Sequence, residues 1–112
     1  MITIIESYLL KPGYAPQALS VLQELDNLLG PNAHANSGHA GHARFLQDAS
    51  DPAQVRLVYE WRDRESFAEL LRSEEALLPD FLAKYCAGPR VVQVHDELAV
   101  EVEHDDDEPA EM

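Results

Sequence analysis

A chain of 112 residues, 46% of them hydrophobic, has the length of one domain and the apolar content of an ordinary globular one. Its formal charge of −13 falls to −6 once the seven acids from Glu101 onward are set aside, and all eight Lys and Arg lie before them. That excludes the basic stripe a nucleic-acid surface needs and disfavours an anionic membrane face. A single Cys excludes an internal disulfide.

The start lacks a basic, then apolar, leader, and no apolar run nears the roughly 20 residues of a membrane helix. A reducing cytoplasm is the expected compartment. Ile2 to Leu10 reads as a strand, stopped by Lys11-Pro12-Gly13. Ala15 to Leu29 has apolar residues at helical spacing, and Gly30-Pro31-Asn32 is expected to end that helix. Residues 33–40 read as a loop and His42 to Gln47 as a second strand. Asp51-Pro52 then marks a turn into a third strand, so the two form an antiparallel hairpin.

The third strand joins a helix directly. Val55, Leu57, Tyr59 and Trp61 alternate with Arg56, Val58, Glu60 and Arg62, so one face is apolar and the other charged. Asp63 suits an N-cap, and Phe67, Leu70 and Leu71 start an apolar helix face. Ser73 reads as a second cap, Pro79 as a break or first turn, and Gly88-Pro89 as the stop. Arg90 to Val102 is the last expected strand. The order βαββαβ is ferredoxin-like: α+β, two helices on one face of a four-stranded antiparallel sheet. Residues 1–102 form that domain, and 103–112 make an acidic tail too polar to order itself.

Three pieces carry a resemblance. They are Tyr8-Leu9-Leu10-Lys11-Pro12-Gly13, the run from Leu57 to Phe67, and Leu78-Pro79-Asp80-Phe81. Over roughly residues 1–98 the sequence resembles the antibiotic biosynthesis monooxygenase family. The resemblance implies a homodimer, two sheets packed face to face as a dimeric α+β barrel. It also implies a cleft for an aromatic or polyketide-type molecule of secondary metabolism. Some members oxygenate such substrates with O₂ as co-substrate and neither metal nor flavin, the substrate carbanion acting as reductant. Others degrade haem, using a first-strand Asn and a Trp and a His on the second helix. Those positions look like Glu6, Leu70 and Leu78 or Pro79 here, which argues against that branch.

Candidate site residues follow from chemistry and alternation. Glu6, Tyr8, Arg44, Arg56, Glu60 and His95 are strand residues expected on the open face of the sheet. The bland alternative is a set of interface ion pairs and solvated charges. His42 or Glu6 would be the base, since a neutral imidazole suits proton removal from a phenol. Arg44 and Arg56 would stabilise the resulting anion. Tyr8 and Trp61 would stack on substrate, with Glu60 and His95 completing the site. A strand-end Trp before a helix is more often a packing anchor, and that reading of Trp61 is preferred to stacking. His34, His39 and His42 are separated by Gly, Ala and Ser, which give no rigid frame, so no metal is expected. Cys86 reads as a small buried residue. Two rival readings stand beside the oxygenase: a non-oxygenating cyclase or isomerase, and a non-catalytic small-molecule-binding accessory protein.

Overall fold

Buried and half-buried residues alternate along Ile2–Leu9, which forms β1, in the computed structural model, which describes residues 1–103. A 3-10 turn at Ala15–Gln17 leads into α1, Ala18–His34. Then follow β2 (His39–Gln47), β3 (Gln54–Trp61), α2 (Arg64–Glu74), α3 (Pro79–Tyr85) and β4 (Val91–Asp96). The sheet is antiparallel in the order β2-β3-β1-β4, as the ferredoxin-like expectation requires. The expected acidic tail lies outside the described residues beyond Glu103.

Register decides which side chains share a face. Ile4 stands opposite Tyr59, Glu6 opposite Leu57 and Tyr8 opposite Val55. These pairs point toward the helices and are covered by two adjoining core clusters. One gathers Tyr8, Val55 and Phe81 around Leu25 of α1. The other gathers Ile2, Ile4, Trp61, Phe67 and Leu70. Among the described residues no helix covers the opposite face, with Ile5 opposite Val58 and Ser7 opposite Arg56.

Four boundaries differ from the sequence reading. α1 runs through Gly30-Pro31-Asn32 to His34, because Ala33 packs on the second cluster and the turn closes from the Ala35 N–H to the Pro31 carbonyl. Ser73 is no cap. It lies inside α2, where its hydroxyl donates to the Leu70 carbonyl and accepts from Asn32. Asp63 caps α2 as expected, its carboxylate taking both the N–H and the hydroxyl of Ser66 at 2.8 Å. β4 stops at Asp96, not Val102, since Asp96 already faces Ile2 at the start of β1 and no partner strand extends beyond it. Leu98, Val100 and Val102 are consequently exposed.

β2 starts earlier than expected, at His39, and contains an irregularity. Ala40 faces Glu60 and Arg44 faces Val58, so Gly41, His42 and Ala43 together oppose Tyr59. Gly41 takes a φ of +68°, a conformation that favours a residue without a Cβ.

Candidate active site

The helix-facing side of β1 and β3, the inner face of α1 and the widened strand β2 enclose a cleft of about 260 Å³. Leu25, Leu29, Phe45, Leu57 and Trp61 supply apolar wall. Glu6 and Glu74 line it from the inside, and His34, His39 and His42 line it from α1 and β2.

Glu6 is the organising residue. An acid at an alternation position that otherwise buries Ile2, Ile4 and Tyr8 must be matched by donors. Three are present. The Tyr8 hydroxyl donates to Oε1 at 2.6 Å, the Tyr59 hydroxyl donates to Oε2, and Arg90 Nη1 donates to Oε1 at 3.0 Å. The same Arg90 nitrogen donates to Glu74 Oε1 at 2.8 Å. Both carboxylates are almost wholly buried. One guanidinium therefore serves two buried acids.

The electrostatics follow from that count. Burial, then the charge of Glu6, holds the Tyr8 and Tyr59 phenols well above the ordinary tyrosine range, so both stay neutral donors. Burial, then Glu6, also pushes the Glu74 carboxyl up, against the pull of Arg90. Around the other wall, the His34 and His39 rings lie 4.2 Å apart, and His39 meets Trp61 edge-on at 6.0 Å. Burial, then His34 and His42, pushes the His39 imidazole below its usual value. Among the described residues no group of three or more His, Cys, Asp or Glu is arranged to hold a metal ion.

The candidate residues separate into two sets. Glu6 and Tyr8 lie on the helix-covered face, not the open one, because the register pairs them with Leu57 and Val55. Both are buried, and Tyr8 is bonded to Glu6 rather than presented to the cleft. Trp61 is buried in the second core cluster and also walls the cleft, so packing and lining coincide in one side chain. His42 is exposed on the widened part of β2 and borders the cleft.

Arg44, Arg56 and His95 share the open face with Val58, Ser7 and Thr3. None of the three lines the cleft, and Arg56 is paired with Asp48 at 3.5 Å. Glu60, opposite Thr3, is exposed and is among the residues that line the cleft. The hairpin thus brings Arg44 and Arg56 to one side of the sheet and Glu6 to the other.

Sequence reasoning missed Glu74 and Arg90. For Glu74 a signal existed: it follows Phe67 and Leu70 at seven and four positions, the phase of the buried helix face. Arg90 gave no signal of its own, since it lies in irregular chain before β4. The buried position of Glu6 is what demanded a cation.

No family model matches the sequence, and no curated protein matches it. Solved structures do. A structure described as an antibiotic biosynthesis monooxygenase is 20% identical, covering 88% of this chain and 99% of its own, with a TM-score of 0.64. Rv0793 from Mycobacterium tuberculosis is 22% identical over 90% of this chain and 98% of its own, at a TM-score of 0.61. NE2512, a protein of unknown function from Nitrosomonas europaea, is 18% identical over 91% and 93%, at 0.66. The chain therefore has the ferredoxin-like α+β fold of these structures, an antibiotic biosynthesis monooxygenase among them.

Proposed function

We propose that the chain is an enzyme of the antibiotic biosynthesis monooxygenase type, acting on a small phenolic or enolisable aromatic molecule of secondary metabolism. The observation that carries this is the carboxylate pair Glu6 and Glu74, buried around one arginine against an apolar-walled cleft. A cleft of about 260 Å³ is at or below the lower end of the roughly 300–1,000 Å³ of ligand pockets, which suits one or two fused rings. Proton removal falls to the carboxylates inside the cleft, with His42 the alternative at its border. The resulting carbanion reduces O₂ directly, so neither metal nor flavin is part of the reading. Trp61 and Tyr59 offer aromatic wall for stacking.

The same reading includes a homodimer. Ile5, Leu46, Val58 and Val91 lie on the helix-free face of the sheet, and Leu46 and Val91 are 43% and 56% exposed. A second copy laid on that face would cover them and would also bring Arg44, Arg56 and His95 into the interface.

Oxygen consumption with 1-naphthol tests the activity. Substrate-dependent O₂ uptake by metal-stripped protein is the expected result. Product formed with O₂ unchanged assigns a cyclase or isomerase instead. Binding without turnover leaves the small-molecule-binding accessory-protein reading.

A further inference from the structure

The two buried carboxylates are not equivalent. Glu6 receives three hydrogen bonds spread over both oxygens, two from phenols and one from a guanidinium. Glu74 receives one, from Arg90 to Oε1, and its Oε2 receives none from the described residues. That oxygen is not sealed away either, since among the described residues the one fully buried side-chain polar atom without a partner is Trp61 Nε1. With Glu74 lining the cleft, Oε2 is the oxygen left for a ligand.

We propose that Glu74, through Oε2, is the group that takes a proton from a weakly acidic ligand in the cleft, while Glu6 keeps its three hydrogen bonds as the anchor of Arg90. The assignment rests on the reading of the cleft as a phenol or enol site. Protonating Glu6 would put a donor where Tyr8, Tyr59 and Arg90 already donate, and at least one of those bonds would be lost. Protonating Glu74 at Oε2 leaves every observed hydrogen bond in place. The ligand O–H or C–H bond breaks, its proton goes to Oε2, and the electron pair stays on the ligand as phenolate or carbanion. One negative charge moves from Glu74 to the ligand, and the charge of the cleft does not change.

The surroundings favour that transfer. Glu6 and Tyr8 on β1, Tyr59 on β3 and Arg90 ahead of β4 form the charged and titratable cluster joined to Glu74. Asp26, His34, His39 and His42 border the same cleft. Two carboxylates share one guanidinium, and the transfer moves the charge left unmatched from Glu74 onto the ligand. Burial and the charge of Glu6 push Glu74 toward binding it. A carboxylate made more basic in this way, with an oxygen free of donors, is better matched to a phenol than one whose oxygens three donors already occupy.

The test uses the full chain with 1-naphthol, whose ionised form absorbs separately from the neutral form. Bound to wild-type protein, the naphthol is expected to show naphtholate absorption at a pH where the free compound is neutral. In Glu74→Gln the ionised fraction should fall about tenfold or more, the equivalent of one pKa unit, with binding retained. Naphtholate persisting unchanged in folded Glu74→Gln overturns the assignment. Carboxyl-carbon NMR of wild-type protein, independent of ligand and of that variant's folding, gives the second measurement. Glu74 should take up the first proton of the pair on acidification. If Glu6 does so, the proposal fails. Absence of naphthol binding defeats the phenol-site reading, and the NMR titration then still decides between the two carboxyls.

Discussion

Single residues here carry opposite pressures. Glu74 is buried with its carboxyl pushed up, so the folded state holds its proton to higher pH than the unfolded chain does. Its contribution to stability is complete below the ordinary glutamate range and is lost as pH rises through the shifted value. Melting curves should show this: the Tm of Glu74→Gln relative to wild type rises as pH is raised from about 4.3, the unperturbed glutamate value, toward neutrality. An unchanged difference would show that Glu74 titrates as if exposed. Gly38 illustrates a steric pressure. A Cβ there would meet Trp61 Nε1 at 2.2 Å and Ser66 Oγ at 2.5 Å, so the indole lies against bare glycine backbone. Gly38→Ala is expected to cost about 1–3 kcal/mol by overpacking, read as a lower midpoint in urea. Nothing in the sequence singles out this glycine, because the contact joins the turn before β2 to the end of β3.

At the scale of elements, what was legible is what repeats along the chain. The alternation in Ile2–Leu9 and Gln54–Trp61 and the helical spacing in α1 located the strands and the first helix, and Asp63 announced α2. Endings were harder, because tertiary partners set them. Ala33 draws α1 past a Gly-Pro pair, and the start of β1 cuts β4 short. Site residues were legible by type, and by face for Arg44, Arg56, Glu60 and His95 but not for Glu6 and Tyr8. Glu6 was found, yet its side of the sheet depends on a register that only the pairing with β3 fixes. Asp63 gives a prediction at this scale. Backbone and hydroxyl hydrogen bonds from Ser66, the backbone one first, hold its carboxyl below the ordinary range. The cap therefore stabilises α2 above that range and fails as pH falls through the lowered value. Asp63→Ala should lower the Tm at neutral pH and have progressively less effect on acidification.

The whole molecule has one finished face and one unfinished one. Helices cover the side that holds Glu6, and the other side leaves Ile5 and Val58 paired in the middle of an uncovered sheet. Sedimentation should find the wild-type chain as a dimer and Ile5→Lys as a folded monomer. A wild-type monomer would remove the homodimer from the proposed function. Among the described residues no helix is long and apolar enough to cross a membrane. Trp61, the one tryptophan of the chain, sits where the cleft wall, the end of β3 and the second core cluster meet. Its emission is therefore a built-in optical gauge of that junction. An aromatic guest in the cleft, a charge arriving on His39 at 6.0 Å, and loss of the core would each alter one chromophore. Unlabelled protein can thus be screened for occupancy by fluorescence alone, before any turnover assay exists.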